Sequence, residues 1–433
     1  MSASPPAPRT SIKALLRRGP FARYMAGETV SMLGTWMQQM AQGWVLAGLG
    51  TSALTLSAVS ALSTLCMVSL SLWGGAVADR HDKRVVLAAT LLAQALLAVA
   101  VGWLVAHDQI LLWHIAIAGI LLGSTAAFEM PAAAALVPEL VSKEEIPAAL
   151  AIDRAVFNAT RLAGPAVGGA LISLLGTAAA FYANACSYLA LIAALFTIAP
   201  RASQKQTPET PEGQKEQKKQ EGIGAGWRHV RSDAPTFTML LLIVQTTTFI
   251  SPFFMILIPV YSRRVLMLDA GQHGMLMAAS GCGALLGSLH LLRIAREHRL
   301  AYLRAAAAAV TVAMITVSLA PGLWVAIPAL TLLTLGTSTI FGVANTLIQE
   351  RAPDRVRGRV SALAGMSFSG VLTIAGLLAA GAADVFDLRS AMCAGGVCFA
   401  LGASLLLKRN ILRESTATAH PPPQDHPPVK PNH

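Results

Sequence analysis

Glu28, Glu129 and Arg161 stand inside long apolar runs of this chain, and an ionisable side chain within a membrane span costs about 2.5 to 3.5 kcal/mol on insertion scales. Residues kept at that cost are candidates for handling protons or substrate. A carboxylate that couples to protons must lose and regain one as its surroundings change sides, which requires burial. Glu28, about a turn and a half into the first run, and Glu129, in the fourth, have that chemistry. The plain alternative for Glu28 is a hydrogen bond at the end of its own helix. Positions 129 and 161 are equidistant from residue 145, in the turn "SKEE" joining the fourth and fifth runs. At about 1.5 Å per residue they lie at similar depth, so an ion pair between them is expected.

Two further stretches pair small residues with unusual neighbours. "WGGAVADRHDKRVVL", residues 73 to 87, carries Gly75, Asp79, Arg80 and Arg84 between two apolar runs. The glycines let another helix approach. Asp79 at the C-terminal end of its helix is repelled by the helix dipole and needs a partner elsewhere. A charge pair that forms when two helix bundles meet and breaks when they part would bias alternating access; a basic turn obeying the topology rule is the simpler reading. "RLAGPAVGGAL" combines Gly164, Pro165, Gly168 and Gly169, a bend next to a close-packing surface.

Polar and aromatic groups in apolar helices need a cavity or a helix partner, because lipid offers neither. Trp36, Gln38, Gln39, Gln42, Asn184, Gln245, Asn345 and Gln349 are of this kind. With Met37, Met40, Phe249, Phe253 and Phe254 they suggest a broad amphiphilic site; singly, each serves equally well as interhelical glue. Asp153 and Arg154 read as a surface or gate pair.

The elements that must position these residues follow from composition. Of 433 residues 54% are hydrophobic and 13% charged, with mean hydropathy +0.57, about half the charge of a soluble chain. Runs long enough to cross a bilayer cover about 22–48, 54–77, 84–106, 110–138, 147–174, 178–199, 236–260, 271–292, 303–319, 323–348, 360–382 and 387–408; a bilayer core takes about 20 residues of helix. Backbone groups in lipid must be satisfied internally, and the short alternating segments of a barrel are absent. The expected fold is an all-α integral membrane protein of twelve transmembrane helices.

The chain divides into an N-terminal tail (1–20), a six-helix bundle (21–200), a polar linker (201–232), a second six-helix bundle (233–410) and a proline-rich tail (411–433). A shift of about 212 residues carries Gly75 to Gly287 and Gly164 to Gly376, the pseudo-symmetry of parallel six-span halves with a cavity between them. The start lacks a cleavable signal peptide's features. The net charge of +11 suggests nucleic acid until the basic residues are placed: all but Arg263, Arg264 and Arg389 fall on one side, so the positive-inside rule explains the charge and puts both termini in the cytoplasm of a cell (inner) membrane protein. Nucleic-acid binding is thereby left without support.

Cys66, Cys186, Cys282, Cys393 and Cys398 lie in apolar runs without ligand spacing, so neither metal nor required disulfide is expected. Three histidines in the last tail suit an extended segment better than a metal site. A phosphate-binding glycine loop and a nucleophile–base–acid set are both missing, which argues against ATP as energy source and against an enzyme.

The pattern of Gly75, Asp79, Arg80 and Arg84 resembles the signature loop between spans two and three of the major facilitator superfamily. The resemblance implies that Asp79 faces the start of span eleven near Arg359 and stabilises the outward-open state. The second half departs from it, with Leu291 at the position of the aspartate. "FEMPAAAALVPELVSKEEIPAALAIDRAVFNATRLAGPAVGGALI", "SMLGTWMQQMAQGW" and "NTLIQERAPDRVRGRVSAL" are similar to the drug and siderophore exporters of that superfamily, a group that includes macrolide efflux proteins and the enterobactin exporter. Gly164, Pro165, Gly168 and Gly169 resemble its antiporter motif. Thr35 and Glu129 stand where many relatives carry aspartate, and Glu28 where an amide is common. The resemblance implies proton-driven export of an amphiphilic small molecule, with no cofactor, by a monomer whose partners are its substrate, protons and the bilayer. Open alternatives are a lysophospholipid flippase, a small-molecule importer, or a membrane sensor on a transporter scaffold.

Overall fold

A computed structural model describes Leu15 and residues 19–198, 223–291 and 294–408 of the protein. Nearly all of the N-terminal tail, most of the linker, the C-terminal tail and Arg293 lie outside these residues. The described chain is helical and contains no strand.

The first half comprises α1 (Gly19–Gly48), α2 (Ala53–Arg80), α3 (Lys83–Ala106), α4 (Leu112–Glu139), α5 (Ile146–Leu175) and α6 (Thr177–Phe196). Each lies on one of the apolar runs. After the linker come the short amphipathic α7 (Ile223–Ser232) and then α8 (Ala234–Phe249), α9 (Ala270–Leu291), α10 (Arg299–Leu319), α11 (Leu323–Arg351), α12 (Asp354–Phe386) and α13 (Leu388–Leu406). Among the described residues, nine helices are long and apolar enough to cross a membrane. The ones that fall short are instructive. α1 and α5 have the length but carry the polar residues singled out above, and α8 is cut short.

The run at 236–260 was expected as one helix. The structure breaks it into α8, a turn at Ser251–Met255, another at Ile258–Val260 and a π-turn at Tyr261–Val265. Pro252 and Pro259 supply the cause, since each lacks an N–H and crowds the preceding turn. The chain after the break still closes a turn, with Pro252 O accepting from both Ile256 N and Leu257 N at 2.9 Å.

Packing repeats between the halves. α2 lies on α4 and α3 on α6, as α9 lies on α11 and α10 on α13; α1 packs on α5 and α6, as α8 packs on α12 and α13. Contacts between halves run through α5 with α9, α2 with α12, and α1 with the turns at Ile258–Val260 and Tyr261–Val265. Gly169 is one position where only a glycine fits, because a Cβ there would stand 2.9 Å from Gly274 Cα and 3.0 Å from Ala270 O. At Gly168 a Cβ would stand 3.2 Å from Met37 Cα of α1. The glycines around Pro165 thus bring α5 against α1 on one side and α9 on the other.

Candidate functional site

A cavity of about 440 Å³ lies between the halves, within the range of small-molecule sites. Its first-half wall carries the polar groups Thr35, Gln38, Gln39 and Gln42 of α1, Gln94 of α3, Glu129 of α4, and Asn184 and Tyr188 of α6, beside apolar residues such as Leu56, Val59, Met67 and Leu122. The second half supplies Met255, Ile256, Ile258, Pro259 and Met277. Here the broken span meets the site, as irregular backbone does where it lines a cavity in the membrane.

The polar wall is held by side-chain hydrogen bonds between helices. Asn184 Nδ2 donates to Gln38 Oε1 at 2.8 Å, and within α6 Ser187 Oγ steadies that amide by donating to Asn184 Oδ1 at 2.8 Å. Thr35 and Tyr188 share a hydroxyl bond of 3.2 Å. Gln94 Nε2 donates to Glu129 Oε2 at 2.5 Å. Glu129 therefore has an amide for a partner, and the expected ion pair with Arg161 is not formed. Arg161 turns instead toward α1, its guanidinium 5.7 Å from the centre of the Trp36 ring, while Trp36 meets Phe157 edge-on. Depth alone did not predict this, because it fixes height along a helix and leaves rotation about the axis open. Glu28 is buried beside Tyr24 and within electrostatic reach of Glu129 and Asp153.

Helix ends define two faces of the molecule. One, the basic end, carries Arg80, Lys83, Arg84, Arg351 and Arg359; the opposite end carries Arg263, Arg264 and Arg389. Every hydrogen bond that joins the halves among the described residues lies at the opposite end. Asp384 near the end of α12 accepts from Ala53 N at 2.8 Å and Leu54 N at 2.9 Å. Ser52 accepts from Thr55 N and, through its carbonyl, from Leu56 N. Together these satisfy the N–H groups that α2 leaves unpaired at its start. Arg263 donates to Trp44 O at 2.7 Å and stacks on the Trp44 ring at 4.6 Å. Arg264 donates to Ala47 O at 2.8 and 3.1 Å. Acid thus meets a helix N-terminus and cations meet a C-terminus, as the helix dipoles favour.

At the basic end the bonds among the described residues run within each half. Arg84 pairs with Asp82 and donates to Ile198 O at 2.6 Å, and its hydrogen bond holds the Asp82 carboxyl below the usual range. Lys83 pairs with Glu139 at 2.8 Å. Arg351 binds Asp233, the N-cap of α8, at 2.6 and 2.8 Å. Asp79 and Arg80 are exposed, and Asp79 makes no ion pair with Arg359, which packs against Gly226 of α7. Gly74, and not Gly75, receives a neighbouring helix: its Cα lies against the backbone of Ala127 and Phe128, whereas Gly75 faces open space.

The family model described as transmembrane secretion effector, of the major facilitator superfamily, matches residues 10–431. The chain belongs to that family. It is therefore a major facilitator carrier and not an enzyme. The multidrug efflux pump Tap of Mycolicibacterium fortuitum is 25% identical over 361 residues, covering 81% of this chain and 85% of Tap. The staphyloferrin A transporter of Staphylococcus aureus is 27% identical over 177 residues, 40% of this chain and 44% of that protein, so the chain aligns with under half of that relative's length. Among solved structures, a bacterial homologue of the human lysosomal transporter Spinster superposes with a TM-score of 0.68 at 10% identity, over 89% of this chain and 95% of that one. A bacterial homologue of the iron transporter ferroportin gives 0.65 at 17% identity, over 89% and 98%.

Of the residues that sequence singled out in this carrier, Gln38, Gln39, Met40, Gln42, Asn184 and Glu129 line the cavity together. Trp36 is held by Phe157 and Arg161 outside the lining. Gln245 donates to Phe399 O at 2.6 Å and so joins α8 to α13. Asn345 bonds to Phe341 O of its own helix, and Gln349 O accepts from Arg357. Sequence reasoning missed Gln94, Thr35, Tyr188 and Asp384 as contact-makers. For the three basic exceptions to the charge rule it held the signal without the meaning. All three cap helix C-termini at the opposite end: Arg389 donates to Ser318 O and Ala320 O, closing α10.

Proposed function

We propose that the protein exports an amphiphilic small organic molecule, a drug or siderophore, by alternating access in exchange for protons. In this reading the chain spans a cell (inner) membrane twelve times in two six-helix bundles. Both termini and the basic end face the cytoplasm, and the carrier acts as a monomer without a cofactor. The observation that carries it is a cavity between the halves, with Glu129 in its wall, joined over among the described residues by inter-half hydrogen bonds at the opposite end. The conformation is then inward-facing. Substrate enters from the cytoplasmic side, Glu129 and Glu28 exchange protons, and the halves close at the basic end when Asp79 reaches the start of α12 near Arg359. Gly164, Pro165, Gly168 and Gly169 form the pivot, where α5 touches α1 and α9.

The test is accumulation of a panel of fluorescent amphiphiles and of hydroxamate and catecholate siderophores in cells with and without the protein, repeated with a protonophore and with Asp79→Asn. Lower accumulation that collapses in both controls supports the reading. Unchanged accumulation across the panel, with expression confirmed, contradicts it and points to lipid transport, import or sensing.

A further inference from the structure

Another cavity of about 440 Å³ lies between α10 and α13 of the second half, and it shares no lining residue with the cavity between the halves. Ala308 and Thr311 stand on one wall, Ala400, Ala403 and Ser404 on the other. Its two hydroxyls are satisfied on their own helices: Thr311 Oγ1 donates to Ala307 O at 2.9 Å and Ser404 Oγ to Leu401 O at 2.7 Å. The walls therefore present hydrocarbon with no side-chain donor left to place. Val312 at its rim is 60% exposed, so the groove opens outward, where a membrane-spanning chain meets lipid.

One end of the groove is charged. Arg304 lines it little more than a turn into α10 from the basic end, near the depth of lipid headgroups. Its Nε and Nη2 donate to Leu407 O at 3.1 and 2.8 Å and so close the end of α13, while Nη1 meets no acceptor and the guanidinium no acid among the described residues. Lys408, which is exposed, follows directly. The shift of about 212 residues that relates the halves carries Leu92 and Leu96 of α3 to Arg304 and Ala308, and both leucines are exposed. The first half thus sets apolar bulk where the second sets a cation and room. Basic pockets between membrane helices on the cytoplasmic side bind anionic headgroups. We propose that the groove between α10 and α13 is a site for an anionic phospholipid of the leaflet at the basic end. One acyl chain lies along Ala308, Thr311 and Ala403, and the phosphate meets Arg304 with Lys408 beside it. The lipid joins the two helices and stabilises the second half. This site is separate from the transport cavity and stands whether or not the export reading does.

Two lipids with the same acyl chains and different headgroups test this on the purified full chain in mild detergent: phosphatidylglycerol and phosphatidylcholine. Thermal unfolding should shift upward with phosphatidylglycerol at a concentration at least about fivefold below that needed for phosphatidylcholine, the worth of one basic residue at a membrane surface. Native mass spectrometry should retain one phosphatidylglycerol per chain. Arg304→Gln should remove the preference between headgroups, and Arg304→Lys should keep it. Ala308→Phe, which fills the groove from a lipid-exposed position and leaves Arg304 in place, should lose the retained lipid. Leu96→Phe, at the matching place in the first half, should keep it, which separates a lost site from a general effect of bulk on the surface. Equal stabilisation by the two lipids, or an unchanged retained lipid in a folded Ala308→Phe, overturns the proposal. A dimer that Ala308→Phe splits also overturns it and gives the groove to a second copy of the chain.

Discussion

The two ends of the molecule use the same residue types to opposite effect. At the opposite end Asp384, Arg263 and Arg264 of the second half reach across to helix termini of the first, so charge closes the gap between halves. At the basic end the ion pairs among the described residues stay within a half: Lys83 with Glu139, Arg84 with Asp82, Arg351 with Asp233, Arg299 with Glu350. Among the described residues the basic end has more charge and fewer bonds between the halves. Adhesion depends on whether a charge meets a partner in the other half, and Asp79, the basic-end residue with the position to do so, is exposed without one among the described residues.

The largest blow to this contrast should come from Gly169. Gly169→Val places side-chain atoms against the backbone of Gly274 and Ala270 O, and overpacking of this kind costs about 1 to 3 kcal/mol. Thermal unfolding should show the loss, and a cysteine at Leu54 should become more reactive as the opposite end loosens. Asp384→Ala comes next. It removes the acceptor for two N–H groups of α2 while leaving the Ser52 cap, and should weaken closure by about 1 kcal/mol, the ordinary worth of a cap. The same thiol reactivity reads it. Asp233→Ala, inside the second half, should cost a similar cap of about 1 kcal/mol in unfolding without altering reactivity at Leu54. Stability from this group also has a pH signature. Partial burial works against the Asp233 carboxylate, but hydrogen bonds from Arg351 and Thr236 outweigh it and hold its pKa down at about 2. A depressed carboxylate stabilises above its unfolded value, about 4, and that contribution is lost as pH falls toward 2. The loss should vanish in Asp233→Ala. The smallest effect on stability belongs to Asp79→Asn, within about 0.5 kcal/mol as for an exposed site, while transport falls sharply. A large stability loss there would place a partner on Asp79 in this conformation and break the contrast.

Much of this architecture was legible in the sequence, and the parts that were not share a cause. Apolar runs of about 20 residues located the helices because lipid imposes length and apolarity on each run independently. Helix ends were less readable: the eleventh run was set to end at 382, yet α12 continues to Phe386 and brings Asp384 to the start of α2. The break at Pro252 was invisible because membrane helices tolerate proline when neighbours satisfy the freed groups. Glu129 was singled out by its cost, but its partner depends on the rotation of α3 against α4, which no local pattern encodes. That is why Gln94 was missed and Arg161 misassigned. Arg263, Arg264 and Arg389 broke the charge rule in the sequence, and their contacts supply the reason: a cation on the less basic side is retained where it caps a helix.

Alternation between the ends is the central claim, and paired distance measurements test it most directly. Spin labels at Arg80 and Gly358 report the basic end, and labels at Leu54 and Val385 the opposite end, in protein whose native cysteines are replaced. On cycling between acidic and alkaline pH with substrate present, the basic-end distance should shorten in the same fraction of molecules in which the opposite-end distance lengthens. Both distances holding constant while the labelled protein transports, or both moving in the same direction, would contradict the account.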